Sequence, residues 1–271
     1  MIKQAIIPLA GLGTRLLPLT SVFAKELLPI NGKPGIEYII EECIEAGIKE
    51  IIFIISNKKI MIKNYFYNDS FYKKINKKKK DPYIIAEYKK ILKYRKMIKF
   101  VYQNKPLGTG DAVLKTKKLI KDKYFLMLLP DDLIVKQNCS KSMIAIHKKF
   151  KSSVMASMKV NKSEVSRWGI YNIKEKINNK NFLIKDVIEK PSIKEAPSNN
   201  AVIGRYILPK TIFNKLSKLK PGKGGETHIT DAIQSLINDN DKFIGHNFSG
   251  IYLDCGTMKG YIDSTLEIAK I

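Results

Sequence analysis

Cysteine, histidine and arginine are all scarce in this chain, and each shortage closes a chemical route. Three cysteines (Cys43, Cys139, Cys255) lie far apart with no C-x-x-C pair. That excludes a disulfide framework or a zinc knuckle, so a reducing, cytoplasmic setting is the expectation. The three histidines (His147, His228, His246) are isolated and form no metal-ligand pair. No apolar run approaches the roughly 18–20 residues of a membrane helix, so no membrane partner is expected. The apolar start, residues 5–12, contains Pro8 and Gly11 and leads into Thr14-Arg15 without a cleavage-like site. It reads as a core strand, not a signal peptide. There is no Ser-His-Asp set, no activated Cys-His pair and no obvious general base. Cys255 stands beside Asp254 with nothing nearby in sequence to activate it, and reads as a packed thiol.

Lysine, by contrast, is abundant. Of 49 basic residues in 271, four are arginine and 45 lysine, and the formal net charge is +24. Such a charge raises the question of a phosphate backbone as partner. The basic residues are nevertheless spread over an Ile- and Asn-rich chain with no aromatic interleaving of the kind RNA-binding modules use. The densest run, residues 73–80, reads as a solvated loop between helices, and nucleic acid is the disfavoured partner. With 44% hydrophobic residues, the chain is expected to be soluble and globular with a sizeable core. Because guanidinium offers phosphate a rigid fork that ammonium lacks, the few arginines stand out. Three of them sit in glycine-containing clusters, "GTR", "RWG" and "GRY".

Strand and helix patterns alternate through the first half. Residues 3–8, 50–56, 99–103 and 124–129 read as buried strands; 34–47, 58–68, 83–96 and 111–119 read as helices. From about residue 152 the texture becomes β-rich ("SSVMASMKV", "WGIYNI", "FLIKDVIEK", "NNAVIGRYIL"). Helices return at 210–219 and 229–238, and the end is strand then helix. The pattern predicts an α/β fold, a doubly wound, mainly parallel, Rossmann-like sheet with a β-rich lobe. The chain is expected to form one domain over 1–271, with an alternating α/β part to about 150 and a β-rich part with a C-terminal helix after it.

Four loops fall where such a sheet gathers ligands: "LAGLGTR", "QNKPLGTGDAV", "LLPDD" and "LDCGT". The first fails both G-x-G-x-x-G and the P-loop pattern. Each alone also fits a plain turn, a helix entry or, for Asp131-Asp132, a helix cap. Together they supply a glycine loop open to a base and phosphates, cations at Arg15 and Lys25, and carboxylates suited to Mg²⁺ at Asp131 and Asp254. A reaction that needs neither protein nucleophile nor base is attack by a phosphate monoester on a nucleoside triphosphate. The monoester is already largely ionised at pH 7, its second pKa being about 6. Positioning and charge neutralisation then carry the catalysis.

In order and spacing, "LAGLGTRLLPLT…KELLPINGKP", "QNKPLGTGDAVL", "LLPDDLI", "WGIY", "VIEKP", "EAPSNNAVIGRYIL", "GKGGETHITDAI" and "YLDCGTMKGY" resemble the bacterial UTP–glucose-1-phosphate uridylyltransferases over residues 5–261. The resemblance implies Mg²⁺-dependent single displacement: UTP plus α-D-glucose 1-phosphate gives UDP-glucose and pyrophosphate. It places Ala10, Gly11, Gln103 and Gly108 at uracil, and Gly13, Thr14, Arg15 and Lys25 on the triphosphate, with Glu26 near the nucleoside. Asp131 and Asp254 would hold the metal. Glu189 would meet glucose hydroxyls and Lys190 the sugar phosphate, Gly169 and Gly204 would admit the sugar, and Glu226 and Asp231 would support the site. Catalysis would rest on Arg15, Lys25, Asp131 and Lys190. A homo-oligomer, dimer or tetramer, is implied by the resemblance alone. Two positions depart from the family: Ser21 replaces a lysine and Ala24 a proline, which implies weaker triphosphate binding and a less pre-organised loop. The alternatives are a dTTP-dependent sister activity, which differs by one methyl on the base, and a basic nucleic-acid-binding or regulatory protein on the same fold.

Overall fold

The computed structural model describes residues 1–78, 81–222 and 225–271. The chain opens with β1 (Gln4–Pro8), two-residue strands β2 (Pro29–Ile30) and β3 (Lys33–Pro34), and α1 (Gly35–Glu45). Ile36, Ile39, Ile40 and Cys43, spaced for one helical face, are buried on α1, and Gly47 ends its turn at φ +86°. Next come β4 (Glu50–Ile55), α2 (Ile60–Tyr67), α3 (Ser70–Lys78), α4 (Pro82–Met97), β5 (Ile98–Tyr102), α5 (Gly108–Leu114) and β6 (Tyr124–Leu128). The rest comprises β7 (Asp132–Val135), α6 (Cys139–Phe150), β8 (Ser153–Lys159), β9 (Gly169–Lys176), β10 (Asn181–Glu189), β11 (Asn200–Pro209), α7 (Ile212–Leu216), α8 (Ile229–Asn238), β12 (Phe243–Asn247), β13 (Ile251–Asp254) and α9 (Met258–Ala269).

One nine-stranded sheet runs through both halves in the order β5-β4-β1-β6-β11-β8-β12-β10-β9. The strands of the first half, β5, β4, β1 and β6, are parallel throughout. Strand β11 then enters antiparallel to both β6 and β8. Of the later strands, β12 is parallel to β8, and β10 runs antiparallel to β12 and β9. Parallel strands covered on both faces need apolar residues at every position. Accordingly Ile7, Ile51 and Phe53 join one core cluster, and Ile6, Ile52 and Ile54 the cluster on the opposite face.

Two expectations are corrected. Residues 73–78 belong to helix α3, not to a loop; Lys79 and Lys80 lie outside the described residues. The lysines remain solvated, but Tyr72 and Ile75 are half-buried three residues apart, and Tyr72 stacks on Tyr88 of α4 at 5.5 Å. Tertiary packing thus selects the helix that the charge obscured. The helix expected at 111–119 ends at Leu114, and the chain continues as turns, where Thr116 returns its hydroxyl to the Val113 carbonyl at 2.7 Å. Helix α6 and strand β12 were not anticipated. Among the described residues, no helix is long and apolar enough to cross a membrane.

Candidate active site

The carboxyl ends of β1 and β6 carry the two central loops. After Pro8, Gly13 takes a left-handed turn (φ +71°), its carbonyl accepting from the Thr20 hydroxyl at 2.8 Å. Thr14 and Arg15 then begin a short 3₁₀ turn in solvent. A Cβ on Gly11 would meet nothing within 4 Å. The fold itself therefore has no need of glycine there, and the open face belongs to a cleft of about 360 Å³. Ala10, Gly11, Lys25, Glu26, Gln103, Gly108 and Asp131 all line that cleft. Gln103 is buried, and its amide nitrogen donates to the Gly108 carbonyl at 3.0 Å and to Asp111 Oδ2 at 2.7 Å. Gly108 has φ +90°, and a Cβ there would run into the Thr227 carbonyl. Backbone bonds from Gly110 N to Thr227 O (2.7 Å) and from Thr227 N to Leu107 O (2.8 Å) clip the two walls together.

The metal-binding candidates meet through a small sheet that the sequence did not announce. Strand β7 pairs antiparallel with β13, placing Asp132 opposite Asp254, and Cys255 N donates to the Asp131 carbonyl at 2.8 Å. Gly256 lies where the groups converge: a Cβ there would stand 2.9 Å from Asp131 Oδ2, 3.0 Å from Arg15 Nη2 and 3.1 Å from Asp254 Oδ1. Among the described residues no cluster of three or more His, Cys, Asp or Glu could hold a metal. Two carboxylates on an open cradle fit an ion that keeps waters and also takes phosphate oxygens. Lys25 Nζ lies 2.8 Å from Asp131 Oδ2, and the exposed Arg15 guanidinium 3.6 Å from it. Burial opposes ionisation of Asp131, but Lys25 and, more weakly, Arg15 outweigh it and hold the carboxyl below its ordinary range.

Glu189 and Asp231 line a second groove of about 560 Å³. It shares Thr109, Leu129 and His228 with the first cleft, so the two are continuous. A Cβ on Gly169 would stand 3.0 Å from Glu189 Oε2. Lys190 follows at φ +48°, its N–H donating to the Trp168 carbonyl at 2.9 Å; its side chain is exposed and lines neither groove. Glu226 borders the first cleft beside His228. Lys223 and Gly224 of the "GKGGETHITDAI" segment lie outside the described residues.

Several assignments change with the geometry. At Gly204 the close approach is to the protein's own loop: a Cβ would collide with Asp132, and Gly204 N donates to Asp132 Oδ2 at 2.8 Å. Glu26 is buried and paired with Lys59, whose Nζ lies 2.7 and 2.8 Å from its two carboxylate oxygens. Neither Lys59 nor Tyr252, which donates to Asp132 Oδ1 at 2.7 Å, was singled out from sequence. Burial, then the neighbouring Asp131 charge, pushes Asp132 up to about 6. Asp132 begins a strand and caps no helix. Of the arginines in glycine clusters, Arg15 faces the site, Arg167 pairs at the surface with Glu164, and Arg205 is buried. Cys255 is packed, with burial first raising its thiol to about 11, so it is protonated at neutral pH.

Residues 4–271 match the family described as nucleotidyl transferase. The chain is 36% identical over 270 residues to UTP–glucose-1-phosphate uridylyltransferase of Bacillus subtilis, covering 99% of this chain and 91% of that one. It is similar to a UDP-glucose pyrophosphorylase solved with UDP-glucose, with TM-score 0.86, 36% identity and coverage of 100% and 99%. It is also similar to a UTP-bound enzyme of that kind from Acinetobacter baumannii, with TM-score 0.89, 33% identity and coverage of 99% and 93%.

Proposed function

The chain belongs to the nucleotidyl transferase family, alongside the UTP–glucose-1-phosphate uridylyltransferases, and we propose that it transfers the uridylyl group of UTP to α-D-glucose 1-phosphate. The observation that carries this reading is the convergence of Arg15, Asp131 and Asp254 around Gly256, with Lys25 on Asp131, at a cleft lined by Gly11 and Gln103.

The open backbone at Gly11 and the anchored Gln103 amide receive the base. Arg15 and Lys25 hold the triphosphate, and Asp131 with Asp254 holds a divalent ion, which we take to be Mg²⁺. That ion, when bound, neutralises charge on the polyphosphate. Glu189 accepts from glucose hydroxyls in the second groove, and the sugar phosphate draws in the exposed Lys190 side chain, which lines neither groove without substrate. A phosphate oxygen of glucose 1-phosphate attacks the α-phosphorus in line, one P–O bond forms, and the α–β bridge breaks to release pyrophosphate. No proton has to be removed first. Lys25 suits its task because its ammonium stays charged: burial acts against it, but Asp131 and Glu26 raise its pKa above the ordinary value.

We read residues 1–271 as one nucleotidyltransferase domain, working in the cytoplasm as a homo-oligomer. The decisive experiment measures pyrophosphate release with glucose 1-phosphate, Mg²⁺ and each nucleoside triphosphate in turn. UTP should be preferred. Silence with every nucleotide overturns the reading, and a dTTP preference moves it to the sister activity.

A further inference from the structure

Arg205 has no exposed side-chain surface, and all five of its N–H groups have acceptors. Nε and Nη2 grip the Glu42 carboxylate of α1, at 3.1 Å from Nε and 2.8 Å from Nη2. Nη1 donates to the carbonyls of Leu129 (3.1 Å) and Gly204 (3.0 Å), and Nη2 also donates to the Asp132 carbonyl (2.6 Å). Leu129 and Asp132 bracket Pro130-Asp131, so one guanidinium holds the loop from both sides. Glu42 is itself fixed by Ser140 of α6, whose hydroxyl donates at 2.5 Å. An ammonium has three donors and no planar fork, so lysine cannot reproduce these bonds.

We propose that Arg205, anchored by Glu42, is a positioning residue that sets the Asp131 carboxylate at the distance from Asp254 that a divalent ion needs. This rests on the reading of Asp131 and Asp254 as metal ligands. The Arg205 side chain touches neither carboxylate and acts through the backbone on each side of Asp131. Partners behind a metal ligand commonly control affinity by about 10- to 100-fold.

The test is a Mn²⁺ titration with UTP present, followed by water-proton relaxation, on the parent, Arg205→Lys, Glu42→Gln and Asp131→Asn, with circular dichroism to confirm folding. Arg205→Lys should bind Mn²⁺ at least about tenfold more weakly, and Mg²⁺ activation of turnover should shift in parallel while KM for glucose 1-phosphate holds. Glu42→Gln, which keeps the fork and alters its anchor, should shift both the same way. Should neither fold, Ser140→Ala carries the test, with a smaller shift of the same sign. Unchanged Mn²⁺ affinity in the folded variants, beside a clear loss in Asp131→Asn, overturns the positioning role. Unchanged affinity in Asp131→Asn itself overturns the metal assignment instead.

Discussion

Lys25 Nζ sits 2.8 Å from Asp131 Oδ2 across 106 residues of sequence, joining the segment after β1 to the candidate metal carboxylate. The same oxygen is wanted by a cation of the protein and by a divalent ion, so the two compete for it. Lys25→Met should therefore bind Mn²⁺ more tightly than the parent when no nucleotide is present, and lose about 10²–10³-fold in kcat/KM through the missing phosphate contact. A variant that turns over slowly with unchanged Mn²⁺ affinity would separate Lys25 from the metal site.

Gly256→Ala tests the cradle itself. Its Cβ would lie 2.9 Å from Asp131 Oδ2, closer than packed carbon tolerates, and 3.1 Å from Asp254 Oδ1, a contact that carboxylate must yield to by a few tenths of an ångström. Turnover should drop about tenfold or more, with a raised Mg²⁺ requirement. The melting temperature should move little, because the crowded atoms are side-chain ends. Parent-like Mg²⁺ dependence would contradict the convergence of the two carboxylates.

The Glu26–Lys59 pair lies in the wall of the first cleft, which Glu26 lines, with side chains only 1% and 8% exposed. Removing one partner strands a buried charge, and Lys59→Met should cost about 3–5 kcal/mol in urea unfolding. The double variant Glu26→Gln/Lys59→Met should be more stable than that single variant. Additive losses would show that the pair is not coupled.

Acid sensitivity has a specific source at His246. Burial first, and Lys180 second, lower its pKa from 6.5 to about 4, and its Nδ1 pairs with Asn181 Oδ1 at 2.8 Å. A base with a depressed folded pKa contributes stability that is complete above about 6.5 and is lost as pH falls towards 4, at most about 3 kcal/mol. Between pH 7 and pH 5 the parent's urea midpoint should fall relative to that of His246→Gln; the raised Asp132 carboxyl, which gains stability over the same range, is common to both and cancels in the difference. An unchanged difference would assign the effect elsewhere.

Ala24 already holds φ −65° and ψ 128°, a conformation proline adopts, and its N–H meets only the Met61 sulfur at 3.0 Å. Ala24→Pro should stabilise the fold by about 0.4–1 kcal/mol, with KM for UTP unchanged or lower. Destabilisation would mean that the Met61 contact holds the loop.

The parallel strands were legible because each is a short, largely apolar run bounded by turn residues, β-branched in β4 and aromatic and aliphatic in β6, and the loops of the cleft stood out because glycine, arginine and carboxylate occur together. The β7–β13 pairing was not, since "DLIV" and "IYLD" lie more than a hundred residues apart: the strand at "IYLD" was expected, but its partner is a four-residue run that followed the acidic pair without announcing itself. Lysine misled in both directions. Residues 73–78 hid a helix behind charge, and Lys59 looked like one solvated lysine among many until burial against Glu26 distinguished it. Arginine scarcity was informative about geometry more than about ligands: at Arg205 the fork serves five internal bonds.

The seam between β6 and β11 bears on how this protein can be built and rebuilt. The loop carrying Asp131 is held by Arg205, which joins the Asp132 carbonyl from 73 residues downstream. A nascent chain that has released only its four parallel strands owns the first cleft's floor but not the brace of the loop that carries Asp131. The change of texture near residue 150 is thus a poor place to cut: halves exchanged there between relatives must match across β6–β11 before either can hold a substrate.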